Sequence, residues 1–89
     1  MYQTENFVKN ALAKTLNFSN TDNIHSESLL KEELHLDSMS SLMFLMKLEE
    51  SIDGFFVDPE TLQMQDLKTV ASVVRYINQQ LSDKDGYVH

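Results

Sequence analysis

The sequence predicts an all-α fold, a small four-helix bundle of three main helices and one short one with a long loop between the first and second helices. Three observations carry that prediction. Segments 5–16, 39–52 and 70–81 repeat apolar residues at helical spacing with no internal Pro or Gly. The single proline, Pro59, and Gly54 fall between the second and third of these segments, where turns are needed. The 89-residue length fits one small domain with a thin core and modest stability.

The first helix is expected from Glu5 to Leu16, with Thr4 as its N-cap and Phe7, Val8, Ala11, Leu12 and Leu16 on the core face. Lys9 and Lys14 lie off that face, and Asn17 is placed to end the helix. The connection 18–36 opens with the turn chemistry of Ser19, Asn20, Thr21, Asp22 and Asn23. Within it Phe18, Ile24, Leu29, Leu34 and Leu36 are spaced as single apolar anchors, and residues 27–33 are able to form a helical turn. A connection this long without an obvious strand is uncommon in a compact domain.

The second helix is expected from Met39 to Ile52, about three to four turns, capped by Asp37 or by Ser38. Either side chain is able to accept a hydrogen bond from the free N–H groups of the first turn. Ser38 therefore stands at the positive end of a helix, where a phosphate ester on its hydroxyl would be well placed, although a plain capping role is the commoner use of such a serine. Leu42, Leu45, Leu48 and Ile52 form one apolar stripe, expected to face the core. Met39, Met43 and Met46 form a second stripe on nearly the opposite side. One helix cannot bury both in the same small core, so the methionines either lie under a loop or form an adaptable exposed patch.

After Gly54, either Phe55 or Phe56 is expected to close the core. Asp58 as N-cap, Pro59 in the first helical position and Glu60 in the first turn predict the short helix, running to about Met64 with Leu62 inward. Thr69 caps the last helix, expected to end near Leu81, with Val70, Val73, Val74, Ile77 and Leu81 as its core stripe. The expected division is a domain over 1–82 and a flexible polar tail over 83–89.

Charge is unevenly spread. The net charge is −7, and residues 22–66 carry eleven acids against Lys31 and Lys47. Such a field repels nucleic acid and speeds encounter with basic protein surfaces. Cysteine is absent, so there is neither a disulfide framework nor a thiolate site, in keeping with a cytoplasmic protein. Neither a bilayer-spanning apolar run nor a signal-peptide pattern is present, so no membrane insertion is expected.

No motif for enzyme chemistry stands out. There is no Gly-rich phosphate cradle, no His-rich metal pattern and no G-x-S-x-G turn. Asp53 and Asp58 lack the spacing of a calcium loop. His35 lies three residues before Ser38, but nothing in the sequence orients it as a base. Neither catalytic residues nor a resident metal are expected.

The run Leu34-His35-Leu36-Asp37-Ser38-Met39, a helix ending in Leu48-Glu49-Glu50, the turn Val57-Asp58-Pro59-Glu60-Thr61-Leu62 and the segment Lys68-Thr69-Val70-Ala71-Ser72-Val73-Val74 together resemble the acyl carrier protein family, over about residues 7–81. The resemblance implies an acyl-carrier-protein-like bundle and a 4′-phosphopantetheine arm, taken from coenzyme A, on Ser38. It also implies a phosphopantetheinyl transferase, a loading enzyme for an acyl or aminoacyl group and downstream pathway enzymes as partners of a monomeric carrier that is not itself an enzyme. Asp37 would help bind the divalent metal used by the transferase. Many fatty-acid carriers are strongly acidic just after the serine, where this chain has Ser40, Met43 and Lys47, and the position two before the aspartate, often Gly, holds His35. These departures favour a dedicated pathway, such as polyketide, nonribosomal peptide, aminoacyl or specialised fatty acid synthesis. The docking face is expected on Met39, Met43 and Met46, with Glu49 and Glu50 at its far end. The alternatives are an unmodified helical interaction module docking through the methionines and, more remotely, a serine hydrolase.

Overall fold

The computed structural model describes residues 2–87, with side chains described over 4–81. Three α-helices, α1 (Tyr2–Leu16), α2 (Ser38–Ser51) and α3 (Val70–Tyr87), pack with a short 3-10 helix, Met64–Leu67. The α1 helix contacts both α2 and α3, and the 3-10 helix lies against α3. Among the described residues no helix is long and apolar enough to cross a membrane.

α1 begins three residues before the expected start. Thr4 lies inside it rather than capping it, and its hydroxyl donates to Asn78 Oδ1 at 3.3 Å, so a tertiary contact with α3 takes the place of a cap. Val8, Ala11 and Leu12 are buried as the stripe requires, whereas Phe7 at the edge is 37% exposed. Asn17 ends the helix in the left-handed region, at φ 63°. The Phe18 N–H donates to the Ala13 carbonyl at 2.8 Å and the Asn17 N–H to that of Lys14 at 3.4 Å. These two bonds are the Schellman pair that satisfies the last free carbonyls of a helix.

The connection between α1 and α2 is ordered by its own polar groups. Ser28 Oγ accepts the His25 N–H at 2.8 Å, and the Glu33 carboxylate accepts the Leu29 N–H at 2.7 Å. Ile24, Leu34 and Leu36 are buried as expected, but Phe18 is 40% exposed, and Leu30 takes the inward place expected of Leu29. Leu29 is only half-buried because its backbone forms an isolated antiparallel bridge with Thr69, which turns the next side chain into the core.

The rotation of α2 differs from the expected one. Phe44 and Leu48 are fully buried and Ile52, the C-cap, nearly so, with Leu45 packed at the edge. Leu42 is 58% exposed and is not part of the core. At about 100° per residue, Phe44, Leu45, Leu48 and Ile52 share one side of the helix and Leu42 falls off it toward the methionines. Gly54 then turns the chain at φ 84°, a conformation that costs glycine little. Phe55 enters the core and meets Tyr76 edge-on, with ring centroids 6.2 Å apart, while Phe56 stays 65% exposed.

Asp58 does cap a turn: its Oδ1 accepts the Glu60 N–H and its carbonyl accepts from Thr61 and Leu62. That turn closes after one winding. The short helix lies later, at Met64–Leu67, where Gln63 and Asp66 form a reciprocal capping pair. Tyr76, buried on α3, fixes the preceding turn, its hydroxyl accepting the Asp58 N–H at 3.1 Å and meeting Thr61 Oγ1 at 3.2 Å.

α3 starts on the expected cap. Thr69 Oγ1 accepts the Ser72 N–H at 3.1 Å and Ser72 Oγ accepts the Thr69 N–H at 2.9 Å. Val70, Val73 and Ile77 are buried, and Val74 and Leu81 pack beside them. The helix continues to Tyr87 rather than ending near Leu81. Of the tail expected over 83–89, residues 83–87 are therefore helical backbone, and 88–89 lie outside the described residues.

Candidate functional site

Asp37 is the N-cap of α2 and Ser38 its first helical residue. Asp37 has extended backbone, φ −86° and ψ −171°, and its Oδ1 accepts the Ser40 N–H at 2.8 Å. Its carbonyl already accepts the first helical bond, from the Ser41 N–H at 2.8 Å. The Ser40 N–H foremost, then the Ser40 hydroxyl and the Met39 N–H, hold the Asp37 carboxyl below the ordinary aspartate range. Since Asp37 performs the capping, the Ser38 side chain is released from it. Ser38 is exposed at the end of the helix where the dipole is positive.

Ser38 lies on the wall of an open cleft of about 440 Å³. Leu36, Asp37 and Ser41 line it from the start of α2, Lys31 and Glu32 from the long connection, and Met64, Gln65, Leu67 and Lys68 from the 3-10 helix and its end. The size falls within the roughly 300–1,000 Å³ usual for small-ligand sites. The two walls are joined by the backbone, since the Leu30 N–H donates to the Lys68 carbonyl at 3.0 Å and the Ala71 N–H to that of Ser26 at 2.9 Å. An exposed primary hydroxyl beside a cleft lined by Leu36 and Leu67 and by Lys31 and Lys68, with Glu32 and the capping Asp37 among them, fits a phosphate-linked arm in kind.

The methionine stripe is exposed. Met39, Met43 and Met46 are 70, 47 and 53% exposed, and Leu42 joins them, so four apolar side chains share an arc of about 100° of α2. Glu50, also exposed, lies on the same arc. Glu49 is turned instead toward the following segment, its Oε2 accepting the Val57 N–H at 2.8 Å. His35 is exposed, in the left-handed region at φ 59°, and no hydrogen bond joins it to Ser38. Among the described residues, no group of three or more His, Asp or Glu side chains is arranged to hold a metal ion.

Of the residues expected from the sequence, Asp37 and Ser38 lie together at the start of α2 and Met39, Met43 and Met46 are exposed; Leu42 beside the methionines, and Lys31, Met64, Gln65, Leu67 and Lys68 on the cleft, were not expected. The wheel of α2 contained the signal for Leu42, since it lies nearer Met46 than Leu48. Nothing in the sequence pairs Lys31 with Lys68, because a single bridge between two irregular segments brings them together.

No protein-family model and no curated protein matches the chain. Among solved structures, the solution NMR structure of a holo acyl carrier protein from Nitrosomonas europaea matches with 30% identity and a TM-score of 0.76. The match covers 92% of this chain and 99% of that one. With fold and sequence matched over 92% of its length, and with the serine-led helix lying beside a cleft, the chain belongs to the acyl carrier protein family.

Proposed function

We propose that the chain is a carrier that holds an acyl or aminoacyl group as a thioester on a 4′-phosphopantetheine arm attached to Ser38, and delivers it to the enzymes of a dedicated biosynthetic pathway. It acts as a cytoplasmic monomer and is a substrate of other enzymes, not an enzyme. The observation that carries this reading is the exposed Ser38 hydroxyl at the first position of α2, beside the cleft and relieved of capping by Asp37. The match to a protein described as a holo acyl carrier protein supports it.

The arm supplies a terminal thiol that keeps the attached group activated. The residues of the chain receive and present it. Ser38 Oγ forms the new bond to phosphorus as the bond from that phosphorus to the nucleotide part of coenzyme A breaks, and the hydroxyl proton passes to a base of the transferase. Asp37, ionised at neutral pH, would help bind the divalent metal brought by the transferase. Met39, Leu42, Met43 and Met46 form the docking face, flanked by Glu50 and, at its edge, Glu49. An apolar helix face in place of an acidic one favours partners of a dedicated pathway over general fatty-acid enzymes.

The test is the intact mass of the chain after incubation with coenzyme A, magnesium and a promiscuous phosphopantetheinyl transferase, with Ser38→Ala beside it. The expected result is one phosphopantetheine increment on the parent and none on the variant. An unmodified parent, folded and offered a transferase from its own source as well, would favour the second reading. That reading is an unmodified interaction module docking through the exposed methionine face, for which Ser38→Ala would leave partner binding intact.

A further inference from the structure

We infer that Lys31 and Lys68 form a cationic clamp for the phosphodiester of an arm carried on Ser38, drawing the arm into the cleft instead of leaving it free in solvent. The inference rests on the carrier reading and adds to it a role for two side chains outside the serine motif.

The segment 22–66 is strongly acidic, and Lys31 is one of its two bases. Lys31 and Lys68 nevertheless line the same cleft, on neighbouring segments that the Leu30 N–H to Lys68 carbonyl bond and the Leu29–Thr69 bridge hold together. Neither lysine is in an ion pair among the described residues, although Glu32 and Asp37 line the cleft too; the ion pair found among those residues joins Lys9 and Glu5 within α1, away from the cleft. The Asp37 carboxylate is directed at the Ser40 N–H, which leaves the lysines available to another anion. Two like charges on neighbouring segments of one cleft repel each other, and an anion bound beside both relieves that repulsion. A phosphodiester on Ser38 is anchored on the wall of that cleft, so its effective concentration is high. Beyond the lysines, Leu36 and Leu67 offer an apolar floor and Gln65 a side-chain amide for the rest of the arm.

The experiment compares apo and holo forms of the parent, of the double variant Lys31→Gln/Lys68→Gln, of Lys31→Arg/Lys68→Arg and of the control Lys47→Gln. Intact mass verifies the holo state, then amide chemical shifts and the ³¹P resonance are recorded at low salt and near 1 M salt, where the screening length is about 3 Å. In the parent, arm attachment is expected to move the amides of Gln65, Leu67 and Lys68 as well as those beside Ser38. The glutamine double variant and high salt should each reduce the remote shifts at least twofold, while the arginine and Lys47 variants retain them. Remote shifts that are absent in the holo parent, or unchanged in a folded glutamine variant, overturn the clamp while leaving the carrier reading in place. Unchanged holo shifts with slower modification by the transferase would assign the lysines to transferase docking, which also overturns it. If no mass increment forms on the parent, the carrier reading fails and the clamp with it.

Discussion

The rotation of α2 about its axis decides which side chains are free to dock, and a pair of leucines on that helix tests it. Leu48 is fully buried, and Leu48→Ala removes its transfer free energy and leaves a cavity, a combined cost of about 2–5 kcal/mol. Leu42 is 58% exposed, so Leu42→Ala forfeits less than half of the ~2.4 kcal/mol for three buried carbons and encloses no cavity, a cost of at most about 1 kcal/mol. A domain of this size has a total stability of roughly 4–13 kcal/mol, so the first change removes a large share of it and the second little. Since each kcal/mol moves the melting temperature of so small a domain by about 4–8 °C, Leu48→Ala should lower it by at least ~8 °C, and Leu42→Ala by several degrees at most. Urea denaturation of both variants, followed by circular dichroism, gives the two costs directly. Equal costs, or a larger one for Leu42→Ala, would show that Leu42 faces the core, and the exposed four-residue apolar face would then not exist.

Met43→Glu should leave the melting temperature within a few degrees of the parent, because Met43 is 47% exposed, yet raise the KM of the phosphopantetheinyl transferase with little change in kcat; a collapse in stability with unchanged KM would assign the methionine to the core. Tyr76→Phe leaves the Asp58 N–H without its partner and should cost about 1–2 kcal/mol in urea denaturation, whereas an unchanged midpoint would remove the hydroxyl's assigned role. The Asp37 carboxyl titrates below its ordinary value of 3.8, so its contribution to stability is complete above that value and is lost as pH falls through the lowered one. Asp37→Asn should flatten that part of the acid limb of the stability profile, and an identical limb in parent and variant would show that Asp37 is not held by the helix end. His35→Gly should be neutral or stabilising by up to about 1 kcal/mol, because a non-glycine residue pays ~1–2 kcal/mol in the left-handed region, and part of that gain is offset by the freer unfolded chain. A clear loss of stability in His35→Gly would mean that the imidazole makes a stabilising contact.

The parts legible in the sequence were those decided by neighbours along the chain. Asn17 ends α1, Thr69 starts α3 and Asp37 with Ser38 starts α2, each through bonds spanning no more than five residues. What failed was decided across the fold. On the wheel of α2 Phe44 lies closer to Leu48 than Leu42 does, but the wheel leaves open which arc turns inward, and it is the packing against α1 that buries the Phe44 side. Leu29 and Leu30 are equivalent in a sequence, and it is the backbone bridge to Thr69 that turns one aside and the other inward. The Asp58-Pro59-Glu60 signal for a helix start was real, but Tyr76 and Gln80 of α3 hold Thr61 at the end of that turn, so the chain leaves it and winds again only at Met64. The resemblance of the serine motif to its family was legible for the same local reason, as a cap and a first turn.

The same few buried side chains therefore set two candidate surfaces at once. Phe44, Leu48 and Ile52 fix the rotation of α2, and with that rotation Ser38 lies on the cleft side while Met39, Leu42, Met43 and Met46 face outward. Leu30, Leu34 and Leu36 pin the end of the long connection to the same core and bring Lys31 and Glu32 to the cleft. A substitution that repacked the core beneath Phe44 would be felt as a change in the orientation of the serine and of the exposed apolar face together, without touching either. Because both surfaces ride on one helix with a single rotational register, a partner that grips the apolar face also determines where the Ser38 hydroxyl points. Under the proposed carrier role, that coupling is how a short helix would present one defined oxygen to a transferase.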